Sequence, residues 1–172
     1  MSGDSSRAQR AGNLRDRTPG NPHLRSIGNI IHNPALSQLF KEFLEKTHCW
    51  ENFAFYVEVA SFVLCYDQVK PTSLRLITSH NTETELYRLY HTFIAHDSPY
   101  EINLDQTIRS PLVALLTSTV NDRSGVIKSL DEIVDLLKQA QGAVFELLAR
   151  DSLPKFLSQP EYEFIFRDYG LH

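Results

Sequence analysis

From Ile27 onward, apolar positions recur at helical spacing. Asn33-Pro34 is a cap followed by proline at the first helical position. Leu36, Leu39, Phe40, Phe43 and Leu44 then fall on one face, with Lys41, Glu42, Glu45 and Lys46 outside it, which predicts an amphipathic helix. The next stretch, Thr47 to Tyr66 ("THCWENFAFYVEVASFVLCY"), is apolar nearly all round. Phe55, Val59, Phe62 and Tyr66 share one face, and Ala54, Val57, Ala60 and Leu64 lie near another. Such a pattern predicts a central, buried helix.

Residues 67–83 read as a connection with a short helical turn at Leu74 to Ile77. Leu86, Leu89, Tyr90, Phe93 and Ile94 form the next amphipathic helix, broken at Ser98-Pro99. A short helix is predicted over Asp105 to Arg109. Ser110-Pro111 reads as a second cap-plus-proline start, continued by Leu112, Leu115, Leu116 and Val120. Residues 121–125 ("NDRSG") read as a loop. Ser129-x-x-Glu132 is a capping box for a long helix carrying Ile133, Leu136, Leu137, Ala140, Val144, Leu147 and Leu148, with Gly142 as a weak point and Asp151-Ser152 as its end. Gln159-Pro160 introduces a last helix with Tyr162, Ile165 and Phe166. No strand, hairpin turn or repeat is predicted. The expected fold class is all-α, a single-domain bundle of about nine helices.

Composition adds a boundary. The chain has 172 residues, 42% of them hydrophobic, enough for one domain with a sizeable core. Residues 1–26 hold Arg7, Arg10, Arg15, Arg17 and Arg25 against Asp4 and Asp16, a balance of +3. The whole chain is -4, so the remainder carries -7. Residues 1–26 are also poor in large aliphatics and cannot offset the entropy of ordering. The expectation is a disordered basic arm over 1–26 and an acidic helical domain over 27–172. The acidic balance gives no electrostatic support for a nucleic-acid partner. Cys49 and Cys65 are too few for a disulfide framework. No signal peptide, lipidation box or apolar run of membrane-spanning length is seen. These features place the chain in the cytoplasm.

Chemistry-bearing motifs are mostly missing. The chain has no P-loop, G-x-G-x-x-G, G-x-S-x-G or H-E-x-x-H. His48-Cys49 could be half of a thiol–imidazole pair, but neighbours on a helix do not face one another and no partner acid is indicated. The plainer reading is a histidine at the start of a helix beside a half-buried cysteine. His91 and His96 are five apart, which is not the spacing of a helical metal pair. No catalytic residue, cofactor site or metal site is assigned. An all-α domain of this kind is more often an interaction module than an enzyme.

Three separated segments go further. They are "LSQLFKEFLEKTHCWENFAFYVEVASF" (36–62), "LYHTFIAHDSPYEINLD" (89–105) and "FELLARDSLPKFLSQPEYEFI" (145–165). They carry Phe40-x-x-Phe43-Leu44 leading into Glu51-Asn52-x-x-Phe55, then Ile102-Asn103-Leu104-Asp105, then Arg150-Asp151-Ser152 followed by Phe156-Leu157. In this order they closely resemble the regulator of G-protein signalling (RGS) domain, over roughly residues 27–168. The resemblance implies a nine-helix domain that binds the GTP-bound Gα subunit of a heterotrimeric G protein. It implies a GTPase-activating protein that stabilises the Gα switch regions in their transition-state arrangement and so terminates signalling. It would not itself be an enzyme. GTP and Mg²⁺ would belong to the Gα partner, and the domain would have no cofactor of its own. A monomer is implied, and the partner or the basic arm would allow peripheral association with the inner face of the plasma membrane.

By the same resemblance, the Gα-binding residues are Glu51, Asn52, Asn103, Leu104, Asp105, Arg109, Leu147, Asp151, Ser152 and Lys155. Asn52 and Asn103 match two asparagines that touch the switch segments. An amide suits that task because it donates and accepts at once. Plainer readings stand beside these: Glu51 favours the positive end of a helix, Asn103 caps the short helix after it, and Asp151-Ser152 is a cap. The chain also departs from the family pattern. His48, Cys49 and Trp50 stand where an aromatic, a small hydroxyl and an acid are usual, Tyr56 where tryptophan is usual, and Lys155 where arginine is common. The connections at 67–83 and 117–130 look longer than usual. An RGS-homology scaffold that binds a partner without accelerating hydrolysis is the alternative reading.

Overall fold

The structure is a computed structural model that describes residues 22–69, 75–121 and 130–169. Among these residues it is all-α, with no strand. Its helices are α1 (Pro22–His32), α2 (Pro34–Lys46), α3 (Trp50–Val69), α4 (Arg75–Leu89), α5 (Gln106–Asn121), α6 (Leu130–Leu147), α7 (Leu153–Leu157) and α8 (Glu163–Asp168). A π-helical turn, Tyr90–Ile94, prolongs α4, and another, Leu148–Ser152, joins α6 to α7. A 3₁₀ turn, Pro160–Tyr162, leads into α8.

The Asn33-Pro34 start of α2 is as predicted. The Asn33 side-chain oxygen accepts from the backbone N–H of Ala35 at 3.0 Å and Leu36 at 3.2 Å, satisfying donors that a helix start leaves open. The predicted apolar faces of α2 and α6 send Leu36, Phe40, Phe43 and Leu44, and Ile133, Leu137, Ala140 and Val144, into the core; Val134 joins them unpredicted, and Leu147 of the predicted face is exposed. Helix α3 packs on α6, α4 and α2, and α6 also packs on α5. Phe40, Phe43, Tyr162 and Phe166 surround the fully buried ring of Phe156, with centroids 4.9–5.5 Å away. This aromatic cluster seats the last helices against α2.

Several expectations change. The boundary expected between residues 26 and 27 falls inside α1, which starts at Pro22; residues 1–21 of the expected arm lie outside the described residues. Helix α3 is one-sided rather than buried all round. Phe53, Phe55, Val59 and Phe62 are buried, whereas Val57 and Leu64 are 44% and 61% exposed. The connection read over 67–83 is mostly helix, since α3 runs to Val69 and α4 starts at Arg75. Ser110-Pro111 starts nothing: α5 runs unbroken through Pro111. Its cap is Asp105, whose Oδ1 accepts from the Thr107 N–H at 2.8 Å, while the Ser110 hydroxyl donates to the Gln106 side chain. Asp151-Ser152 does not end α6 either, because the π turn carries the chain on into α7 with no side-chain cap. Most of the "NDRSG" loop and Ser129 of the capping box lie outside the described residues.

Candidate functional site

Only three residues separate α2 from α3. Thr47 closes α2 by donating its hydroxyl to the Phe43 carbonyl at 3.0 Å. His48 then takes a left-handed backbone conformation (φ 54°), and the Cys49 N–H returns to the Leu44 carbonyl at 3.0 Å. Trp50 is thereby the first residue of α3, with Glu51 and Asn52 in its first turn. Glu51 sits where the helix dipole favours a negative charge. The Asn52 amide donates to the Glu51 carboxylate at 3.2 Å. Its Oδ1 is buried and has no hydrogen-bond partner among the described residues. Buried polar atoms are nearly always paired, so an orphan acceptor on a half-buried residue is a place where an incoming donor gains.

The second segment is the loop between α4 and α5. The π turn closes with the Ala95 N–H on the Tyr90 carbonyl at 2.8 Å, and Asp97 (φ 59°) reverses the chain. The loop folds back on that turn: Tyr100 N–H meets the Thr92 carbonyl at 3.1 Å and Ile102 N–H the Phe93 carbonyl at 2.9 Å. Ile102 and Leu104 are buried, and Asn103 between them is exposed. Burial alternates along residues 101–105, so the two core anchors leave Asn103 facing outward. Leu104 is therefore a core side chain. Asn103 does not cap α5, a task done by the exposed Asp105. The Thr107 hydroxyl, with the Thr107 N–H behind it, holds the Asp105 carboxyl below the usual carboxylate range.

Arg109 lies under this loop with 15% of its side chain exposed. Its guanidinium donates to the Ile94 carbonyl at 2.8 Å, to the Ile102 carbonyl at 3.2 Å and to the Glu101 carboxylate. It is thus turned inward rather than presented to a partner. An open groove of about 580 Å³, lined by His96, Glu101, Asn103, Gln106 and Arg109 among others, runs beside it. His96, Asp97 and Glu101 bring three exposed donor atoms within 4.8 Å of one another. Glu101 is already engaged by Arg109 and by the Asp97 N–H at 3.0 Å.

The third segment is the π turn before α7. Leu147 is 40% exposed and Ser152 is buried. Asp151 is exposed and pairs with Lys155 at 2.8 Å, one turn on. That hydrogen bond raises the Lys155 pKa, and the nearby Cys49 sulfur adds a smaller push in the same direction.

The three segments are neighbours. Trp50 packs edge-on against Tyr100 with centroids 4.9 Å apart, joining the start of α3 to the Asn103 loop. The Phe53–Phe40–Phe156 ring contacts join α3 to α7. Glu51, Asn52, Asn103, Asp151 and Lys155 stand at exposed or half-buried positions on these three segments. Leu104, Ser152 and Arg109 lie beneath them. Sequence reasoning missed Tyr100 and Glu101, which hold the loop, and both π turns, each of which leads directly into a site segment. A π turn has no periodicity signature of its own, although such turns gather at functional sites.

A profile for the Regulator of G protein signaling domain matches residues 26–165. The developmental regulator flbA of Emericella nidulans is 38% identical over 152 residues, covering 84% of this chain and 20% of that protein. Regulator of G-protein signaling 1 of Schizosaccharomyces pombe is 28% identical over 146 residues, covering 80% of this chain and 28% of that protein. Regulator of G-protein signaling 19 of Bos taurus is 26% identical over 139 residues, covering 80% of this chain and 51% of that protein. The chain therefore spans between about a fifth and a half of the length of these relatives.

Proposed function

The chain belongs to the Regulator of G protein signaling domain family, and on that premise we propose that it is a GTPase-activating protein for heterotrimeric Gα subunits. It acts on the GTP-bound partner and supplies no catalytic group. Phosphoryl transfer needs an ordered water, an oriented glutamine and an arginine, and a Gα subunit carries these on mobile segments. A surface that fits those segments best in the transition-state arrangement lowers the barrier by differential binding. GTP and Mg²⁺ come with the partner.

The observation that carries this reading is that Asn52 and Asn103 lie on the two segments that the Trp50–Tyr100 contact joins. One offers a buried acceptor without a partner among the described residues. The other is an exposed amide on a loop anchored at both sides. Glu51, Asp105, Leu147, Asp151 and Lys155 surround them as contacts of the same surface. Leu104, Ser152 and Arg109 support it from below. The domain works as a monomer in the cytoplasm, reaching the inner face of the plasma membrane through its partner or through residues 1–26. Among the described residues no helix is long and apolar enough to cross a membrane.

The test is single-turnover GTP hydrolysis by purified Gα subunits with and without the chain. Acceleration is expected, with tighter binding to the transition-state-mimic form than to the GDP form. Asn52→Ala and Asn103→Ala each lower the acceleration while the helical circular dichroism is unchanged. Absence of acceleration across a panel of Gα subunits sinks the proposal. The second reading, a scaffold that binds a partner without activating it, is favoured by Trp50 standing where the family has an acid. Binding to Gα that is indifferent to the nucleotide would select it.

A further inference from the structure

We infer that Arg109, with Glu101, is a positioning residue that presets the Asn103 loop, and is not itself a contact to the partner. This rests on the proposed function, because the task of the loop is to present Asn103 to Gα.

The geometry is that of a three-way clamp. The Ile94 carbonyl lies at the end of the π turn, where helix carbonyls are left without intrahelical donors and the dipole is negative. Arg109 supplies both a donor and a positive charge there, at 2.8 Å. A second guanidinium nitrogen holds the Ile102 carbonyl, the residue immediately before Asn103, at 3.2 Å. The Glu101 carboxylate meets the same guanidinium with one oxygen and the Asp97 N–H with the other. One planar fork thus ties the start of the loop, at Ile94, to its far half, at Glu101 and Ile102. Lysine carries a single ammonium and cannot present that fork. With 15% of its side chain exposed, Arg109 has little surface left for a partner. A loop fixed before docking loses less entropy on binding and keeps the Asn103 amide in reach of the reacting groups.

The test combines activation with a measurement on the free domain. Glu101→Gln, Arg109→Lys and Arg109→Ala are each expected to lower the single-turnover rate at saturating domain by roughly tenfold. In an Asn103→Ala background, Arg109→Ala is expected to add less than about twofold, because both changes act through the same amide. In an Asn52→Ala background the loss multiplies. In the free domain, Glu101→Gln speeds hydrogen exchange of the Ile102 N–H, which donates to Phe93, while exchange at Ile133 and Leu137 of α6 stays as in the parent. A loss that multiplies with Asn103→Ala overturns the inference and makes Arg109 a direct contact. Unchanged exchange at Ile102 overturns it too. If Arg109→Ala fails to fold, Glu101→Gln and Arg109→Lys carry both readouts. If the parent chain activates no Gα, the proposed function fails, and the exchange measurement still decides whether the clamp holds the loop.

Discussion

Trp50 meets Tyr100 edge-on, with ring centroids 4.9 Å apart and planes inclined by 70°. The pair spans the step from the first residue of α3 to the loop that carries Asn103. It places an aromatic bridge between two parts of the candidate docking surface. Removing either ring should uncouple the loop from α3. A double-mutant cycle on Trp50→Ala and Tyr100→Ala, read by denaturant unfolding, should give a coupling of about 0.5–1.5 kcal/mol. Trp50→Ala should also weaken binding to the transition-state-mimic form of Gα by roughly tenfold, the scale of a modest aromatic hot spot. Unchanged affinity would confine Trp50 to holding the loop.

Phe156 is fully buried among Phe40, Phe43, Tyr162 and Phe166. Phe156→Ala removes the ring that binds α7 and α8 to α2 and leaves a cavity. The expected loss of stability is about 3–5 kcal/mol, measured by denaturant unfolding. A loss below about 1 kcal/mol would mean that the cluster closes over the gap.

Asp105 caps α5, and its carboxyl is held below the usual range, first by the Thr107 hydroxyl and then by the Thr107 N–H. A lowered folded pKa favours the charged form in the native state. Its contribution is therefore complete above the unfolded-state value and fades as pH falls through the lowered folded value. Asp105→Ala should lower the thermal midpoint near neutral pH. The gap to the parent should narrow below about pH 4 as the carboxyl protonates in both states. A gap independent of pH would show that the charge of Asp105 plays no part in the cap.

Pro111 lies inside α5 and offers no N–H to the carbonyl four residues back. Pro111→Ala restores that donor. It should raise stability by about 1–3 kcal/mol after allowing for the freer unfolded chain. Thermal unfolding checks this, and destabilisation would show that the ring packs usefully where it lies.

The helical periods of α2 and α6 were legible because each buries one face against its neighbours. The same spacing that marks Leu36, Phe40, Phe43 and Leu44 in the chain is the spacing that reaches the core. The Asn33 cap was legible because its partners are two and three residues away. Misreadings came where distant partners decided the outcome. The apolar run of α3 reads the same whether one side or both are covered; α6, α4 and α2 bury Phe55 and Val59 and leave Leu64 exposed. Ser110-Pro111 looks like a helix start, but Asp105 had already capped the helix five residues earlier. Of the candidate site residues, Asn52, Asn103 and Asp151 are picked out by their motifs, and they stand at exposed or half-buried positions. That Arg109 turns inward could not be read from the sequence, because its partners Ile94, Glu101 and Ile102 lie in the π turn after α4 and in the loop that follows.

The sequence by itself determined an all-α domain, its main amphipathic faces and the three segments that carry the family match, since each depends on spacing along the chain. Tertiary structure alone decided that Trp50 touches Tyr100 across 50 residues, that Arg109 reaches back 15 residues to the Ile94 carbonyl, and that Asn52 Oδ1 is buried without a partner among the described residues. These depend on how far separated elements pack. Burial and hydrogen bonding between distant residues leave no period in a linear sequence.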